Sequence, residues 1–185
     1  MSHPNLLDSS KAALAVIDIQ EGFRDAIPDF PILASRASTA VQGSLILGMP
    51  VLVTEQYPKG LGHTAEEIRM VLPDDFETVE KTAFSSCGAS QFVDTLNELK
   101  VKQVVICGLE THVCVSQTAH DLLDRGFEVH ILSDCVSSRF EYNRLAGMSK
   151  MIRSGAIESS IEMAFFELMR DAKHEHFKEI QALIK

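Results

Sequence analysis

Val104-Val-Ile-Cys107-Gly108-Leu-Glu110-Thr-His-Val-Cys114-Val-Ser-Gln-Thr118-Ala-His-Asp-Leu122 is the stretch whose reading decides the fold. Its first four residues are apolar and rich in β-branched side chains, the mark of a buried strand. From Val113 the apolar residues Val113, Ala119, Leu122 and Leu123 fall at helical spacing, which predicts a helix over 111–125, stopped at Gly126. Cys114 then sits in the first turn of a helix that begins where a strand ends. The positive end of the helix dipole and the free backbone N–H groups there favour thiolate, the reactive form. A buried, inert cysteine is the competing reading.

The same alternation runs outward in both directions. Strand-like apolar runs occupy 12–17, 51–53, 76–79, 101–109 and 127–136, and a short sixth begins at 156–157. Helical patterns fill 32–47, 89–99, 111–125 and 141–153, and an amphipathic stretch covers 161–184 with a break around Asp171. Strands alternating with helices predict an α/β fold of three layers, α/β/α, with a six-stranded, mainly parallel sheet. In such sheets sites form beyond the carboxyl ends of the strands. Asp18 ends the first strand, Glu55 and Gln56 the second, and Lys81 the third. Glu110 and Cys114 follow the fourth, and Asp134 and Arg139 the fifth.

Bulk properties narrow the classes. The 185 residues suit one domain spanning 1–185. The net charge of −9, with no Lys/Arg run longer than two, argues against nucleic acid or an anionic membrane as partner. No apolar stretch approaches the roughly 18 residues of a membrane span, and the leading Met-Ser-His-Pro-Asn opens no signal-like apolar region. Cys87, Cys107, Cys114 and Cys135 form no CxxC pair and no zinc-like spacing with histidine. They are expected to be reduced thiols in a reducing compartment, the cytoplasm foremost, with no metal and no cofactor.

Asp18 lies among Val16, Ile17 and Ile19, where a carboxylate is costly unless paired. Lys81 is similarly placed, so the two could hold each other ionised near one sheet edge. With Cys114 they supply a nucleophile, a proton acceptor and a cation, enough for covalent acyl transfer. A capping Asp18 and a solvated Lys81 form the structural alternative.

These residues, in this order, resemble the isochorismatase-like cysteine hydrolase family, over about residues 12–168. The marks are Val16-Ile-Asp18-Ile-Gln20, Glu80-Lys81-Thr82-Ala83-Phe84-Ser85, and Gly108, Thr111, Cys114 and Val115, with Thr118, Ala119 and Gly126 behind them. The segment 54–62 looks most like the isochorismatase-domain-containing branch. The resemblance implies strand order 3-2-1-4-5-6, a catalytic triad of Asp18, Lys81 and Cys114, and a cis Leu109–Glu110 bond. It further implies an oxyanion hole from the N–H groups of Glu110 and Cys114, and assembly into a homo-oligomer. Apolar residues of the C-terminal stretch, Ile161, Phe165, Phe166, Leu168, Phe177, Ile180 and Leu183, are candidates for the contact between copies, or for core. Gln20, Phe23, Gln56, Tyr57, Leu61 and Phe84 are candidate substrate-binding residues. Glu55-Gln-Tyr-Pro stands where nicotinamidases in the family carry a metal motif, with only His63 nearby, which argues against a metal and against nicotinamide. The implied activity is hydrolysis of a small amide, imide or carbamoyl compound through a thioester. The alternatives are a non-enzymatic binding or assembly member, and a vinyl-ether hydrolase of the isochorismatase type.

Overall fold

The computed structural model describes His3 and residues 5–185. Met1, Ser2 and Pro4 of the leading segment lie outside the described residues. Strands β1 (Ala12–Ile17), β2 (Val51–Gln56), β3 (Val79–Lys81), β4 (Gln103–Gly108), β5 (Glu128–Val136) and β6 (Ile157–Ser159) form one sheet in the order β3-β2-β1-β4-β5-β6. Every pairing between them is parallel. The expected α/β/α architecture and strand order are those of the protein, with the sheet wholly parallel.

The helices are α1 (Phe30–Ile46), α2 (Pro58–Leu61), α3 (Glu66–Arg69), α4 (Ser90–Glu98), α5 (Ser116–Asp124), α6 (Glu141–Arg153), α7 (Ile161–Met169) and α8 (Phe177–Leu183). Period-two alternation sorts the strand side chains between two cores. Leu14, Val16, Val105 and Leu132 face Leu33 and Ala37 of α1, Phe165 and Leu168 of α7, and Ile180 of α8. Ala13, Ala15, Ile17, Ile106 and Ile131 face Phe92 and Leu96 of α4, Ala119 and Leu122 of α5, and Met151 of α6. β1 is buried on both faces, which is why its sequence is apolar without alternation.

Two expectations are corrected, and the open choice for the C-terminal stretch is decided. The third strand lies at Val79–Lys81 and not at 76–79, because Phe76 packs sideways onto the α1 core while the chain is still in a loop. Lys81 is therefore the last residue of β3. Residues 111–125 are not one α-helix: a wide π-type turn, Thr111–Val115, precedes α5, and Val115 N–H donates back five residues to Glu110 O at 3.3 Å. The C-terminal stretch is mostly core and not a free apolar face. Ile161, Phe165, Leu168 and Ile180 are buried, Phe177 and Leu183 pack on the same cluster, and Phe166 keeps partial exposure. Among the described residues no helix is long and apolar enough to cross a membrane.

Gly108 closes β4 against β1. A Cβ built there would lie 2.2 Å from Ile17 O, and its φ of +145° is one that side chains disfavour. Gly108→Ala should therefore lower stability by about 3 kcal/mol, from overpacking and backbone strain together. The urea midpoint measures it, and an unchanged midpoint would show that β1 and β4 can separate at no cost.

Candidate active site

Parallel register brings three strand ends together. Ile17 of β1 is level with Thr54 of β2, and Gln56 of β2 with Lys81 of β3. Asp18, just past β1, has a left-handed backbone with φ 51°, a conformation that aspartate tolerates better than most residues and that concentrates at functional sites. Its Oδ2 lies 2.6 Å from Lys81 Nζ. Both side chains are buried, so the ion pair is viable only if the remaining polar capacity is met. It is met: Lys81 Nζ also donates to Gln56 Oε1 at 3.0 Å, Phe84 O at 2.9 Å and Ala83 O at 3.2 Å. Asp18 Oδ1 accepts from Thr54 Oγ1 at 2.7 Å.

Cys114 completes the cluster from the other side of the sheet's central gap. It is buried in the π-type turn, near enough to Asp18 and Lys81 for both charges to act on its thiol. Burial is the main influence on its acidity, followed by the Asp18 carboxylate. Lys81 opposes them, and the thiol is pushed up to about 12. Loss of water and an adjacent anion thus outweigh the pull of the helix start toward thiolate, and the resting thiol is neutral. Cys87 is likewise raised, to about 11, by burial first, with Arg125 opposing, and it packs in the α4–α5 core.

The turn that carries Cys114 is anchored at each end. Thr111 donates to Ser137 O through both its N–H, at 2.9 Å, and its hydroxyl, at 2.8 Å. Gly147 of α6 lets that helix reach the turn, for a Cβ there would lie 2.9 Å from His112 Cα. The Leu109–Glu110 peptide is cis. Glu110 O accepts from Val113 and Val115, and the Glu110 N–H makes none of these bonds. The buried Glu110 side chain accepts through Oε1 from Arg139 N–H at 3.1 Å and Arg139 Nε at 3.0 Å. His112 Nδ1 lies 3.1 Å from Ser138 Oγ.

The candidate substrate residues divide. Gln20 is fully buried, and its amide is a strut: Nε2 donates to Gln56 O and Gly62 O, and Oε1 accepts from Gln56 N–H. Gln56 holds Lys81 and donates to Thr82 O at 2.8 Å. Both amides are thus occupied within the protein. Phe23 packs on the α1 core, and Leu61 is half-buried. Tyr57 and Phe84 are 54% and 55% exposed. Tyr57 and Lys81 line a cavity of about 470 Å³ together with Pro58, Thr82, Ala83 and Ala89. At the position of the family's metal motif, Glu55 accepts from Thr64 N–H and hydroxyl at 2.7 Å each and lies 3.1 Å from His63 Nδ1. Those bonds outweigh burial, the largest single influence, and hold its carboxyl below the usual range.

Thr54 and Ser86 were missed in the sequence. Ser86 Oγ donates to Thr54 Oγ1 at 3.4 Å, and Ser86 N–H donates to Thr118 Oγ1 at 2.9 Å. The available signal was a threonine at the carboxyl end of an apolar strand, one position before the polar pair Glu55-Gln56.

Residues 12–163 match the model of the isochorismatase domain. The chain belongs to the isochorismatase family. Isochorismatase domain-containing protein 2 of Xenopus laevis is 39% identical over 178 residues, covering 96% of this chain and 85% of that protein. Isochorismatase domain-containing protein 1 of Salmo salar is 45% identical over 174 residues, covering 91% of this chain but 59% of that longer protein. Among solved structures, the MAR1 ribonuclease of Caenorhabditis elegans superposes with a TM-score of 0.92 at 40% identity, over 97% of this chain and 92% of that one.

A neutral resting thiol in this isochorismatase-family site has a measurable signature. The rate of Cys114 alkylation by iodoacetamide should keep rising from pH 7 through pH 10, about tenfold per unit, as thiolate forms. Mass spectrometry of the labelled peptide follows it. A plateau already reached near neutral pH would show a resting thiolate instead.

Proposed function

We propose that this protein is a cysteine-dependent hydrolase of a small amide, imide or carbamoyl compound, acting through a thioester. The observation that carries the reading is the buried Cys114 thiol beside a carboxylate that Lys81 holds in place. A buried base in contact with a buried thiol can take its proton as the sulfur attacks, so no standing thiolate is needed.

The steps balance as follows. Asp18 accepts the Cys114 proton while Sγ bonds to the substrate carbonyl carbon. The oxyanion is received by the N–H groups of Glu110 and Cys114, donors of a kind worth about 3 kcal/mol each. The C–N bond breaks, and Asp18 returns the proton to the departing nitrogen. Water then attacks the thioester and gives a proton to Asp18. The C–S bond breaks and the thiol is restored. Lys81 keeps the carboxylate oriented throughout, and no metal or cofactor takes part.

Release of ammonia or amine from a library of small amides, imides and carbamoyl compounds tests this directly. Cys114→Ala should reduce turnover of a true substrate by at least about 10³-fold with the fold intact. Asp18→Asn should cost about 10²–10⁴-fold. Lys81→Ala should lower both activity and stability, the latter by about 3–5 kcal/mol, because it strands a buried carboxylate. Wild-type turnover in Cys114→Ala would point to water activated by Asp18, closer to vinyl-ether chemistry. RNA belongs in the same assay because of the name of the Caenorhabditis elegans relative. Cleavage of RNA that requires Cys114 would replace the amide reading, although a net charge of −9 speaks against such a substrate.

The protein is further proposed to act as a homo-oligomer. Support comes from the start of α6, where Phe140 and Tyr142 stack at 5.4 Å and, with Leu145, are more than half exposed. Sedimentation at micromolar concentration should show more than one chain per particle, and a monomer would refute it.

A further inference from the structure

Asp18 must offer a lone pair to the Cys114 proton without giving up its ion pair to Lys81. Two donors hold its carboxylate against rotation: Lys81 Nζ at 2.6 Å from Oδ2, and the Thr54 hydroxyl at 2.7 Å from Oδ1. Thr54 is fully buried. The sheet itself sets its place, since Thr54 is level with Ile17 and accepts the Asp18 N–H on its own carbonyl at 3.2 Å. Behind it, Ser86 is also fully buried and donates to Thr54 Oγ1, while the Ser86 N–H donates to Thr118 on α5, the helix that continues from the Cys114 turn. A buried chain of hydroxyls therefore links the base to the nucleophile's helix by a route that passes through neither Lys81 nor the thiol.

We propose that Thr54 is a positioning residue for the hydrolytic step, its hydroxyl locking the Asp18 carboxylate so that it faces Cys114 Sγ. The proposal rests on the reading of Cys114 as nucleophile and Asp18 as base. The charged and titratable groups around the carboxylate are Lys81 and Cys114, with Glu110 beyond the thiol. Thr54 adds to them a neutral, charge-assisted donor. Valine would fill the same volume without the hydroxyl. It would free one carboxylate oxygen and let the carboxylate turn away from Cys114.

The test uses 4-nitrophenyl acetate, an activated ester whose acyl group would pass to Cys114 Sγ with release of 4-nitrophenolate and transfer of the thiol proton to Asp18. The burst rate is followed against pH, and the acetyl adduct is located by peptide mass spectrometry. Thr54→Val should acylate at about one tenth of the wild-type rate or less across the pH profile, with the apparent KM little changed. Thr54→Ser, which keeps the hydroxyl, should recover the rate. Ser86→Ala leaves Thr54 in place, and should slow acylation about threefold in the same direction, which keeps the proposal testable if Thr54→Val folds poorly. A wild-type rate and profile in folded Thr54→Val, or in Ser86→Ala where Thr54→Val does not fold, would overturn the positioning role. Loss of rate that Thr54→Ser does not restore would equally overturn it, by showing a packing role. Failure of the underlying reading looks different: Cys114→Ala would then retain the burst, or the adduct would sit on another residue.

Discussion

The ion pair between Lys81 and Asp18 is the constraint from which the rest of the site follows. Two opposite charges, both buried, are costly to remove from water, and their attraction alone seldom repays the loss. The pair persists here because the surrounding chain is arranged to complete it. Two backbone carbonyls after β3 turn inward to the ammonium, Gln56 is held beside it, and Thr54 donates to the free carboxylate oxygen. Gln20 in turn fixes Gln56 through its main chain and bridges it to Gly62. The left-handed backbone at Asp18 and the short β3 belong to the same arrangement, since each brings a charged group to the single point where three strand ends meet.

The state of the Cys114 thiol answers first to burial and then to that pair. A helix start favours thiolate by a fraction of a charge, spread over a turn. Burial and a nearby carboxylate act on the sulfur itself and favour the thiol. The resting site is a neutral thiol beside a buried carboxylate–ammonium pair.

The architecture was legible from the chain because its signals are local and repeated. Buried runs of Val, Ile and Ala alternate with amphipathic stretches, and right-handed crossovers leave few topologies for that pattern. Where the reading slipped, a tertiary contact had overridden a local preference. Phe76 looks like strand yet packs as a loop residue under α1. Residues 111–115 look like α-helix yet widen into a π-type turn, pinned by Ser137 on one side and approached by α6 at Gly147 on the other. For the apolar C-terminal residues the sequence left interface and core open, and they close the α1 side of the core.

By itself the sequence determined which chemical groups stand at the strand ends. Asp18, Lys81 and Cys114 each follow or end an apolar run, and that placement is local information. It also determined their neighbourhood, since strand order follows from alternation and family resemblance together. What only the tertiary structure decided is how each group is occupied. Gln20 and Gln56 look like free polar side chains at a pocket wall, but residues far away in sequence take up their hydrogen bonds. Thr54 and Ser86 look like ordinary hydroxyls, and become part of the site only because β1, β2 and α5 converge. The thiol's protonation depends on burial and on a carboxylate in another strand. Hydrogen-bond satisfaction and desolvation are properties of everything that surrounds an atom, and in a parallel sheet those surroundings are assembled from segments that no local window contains.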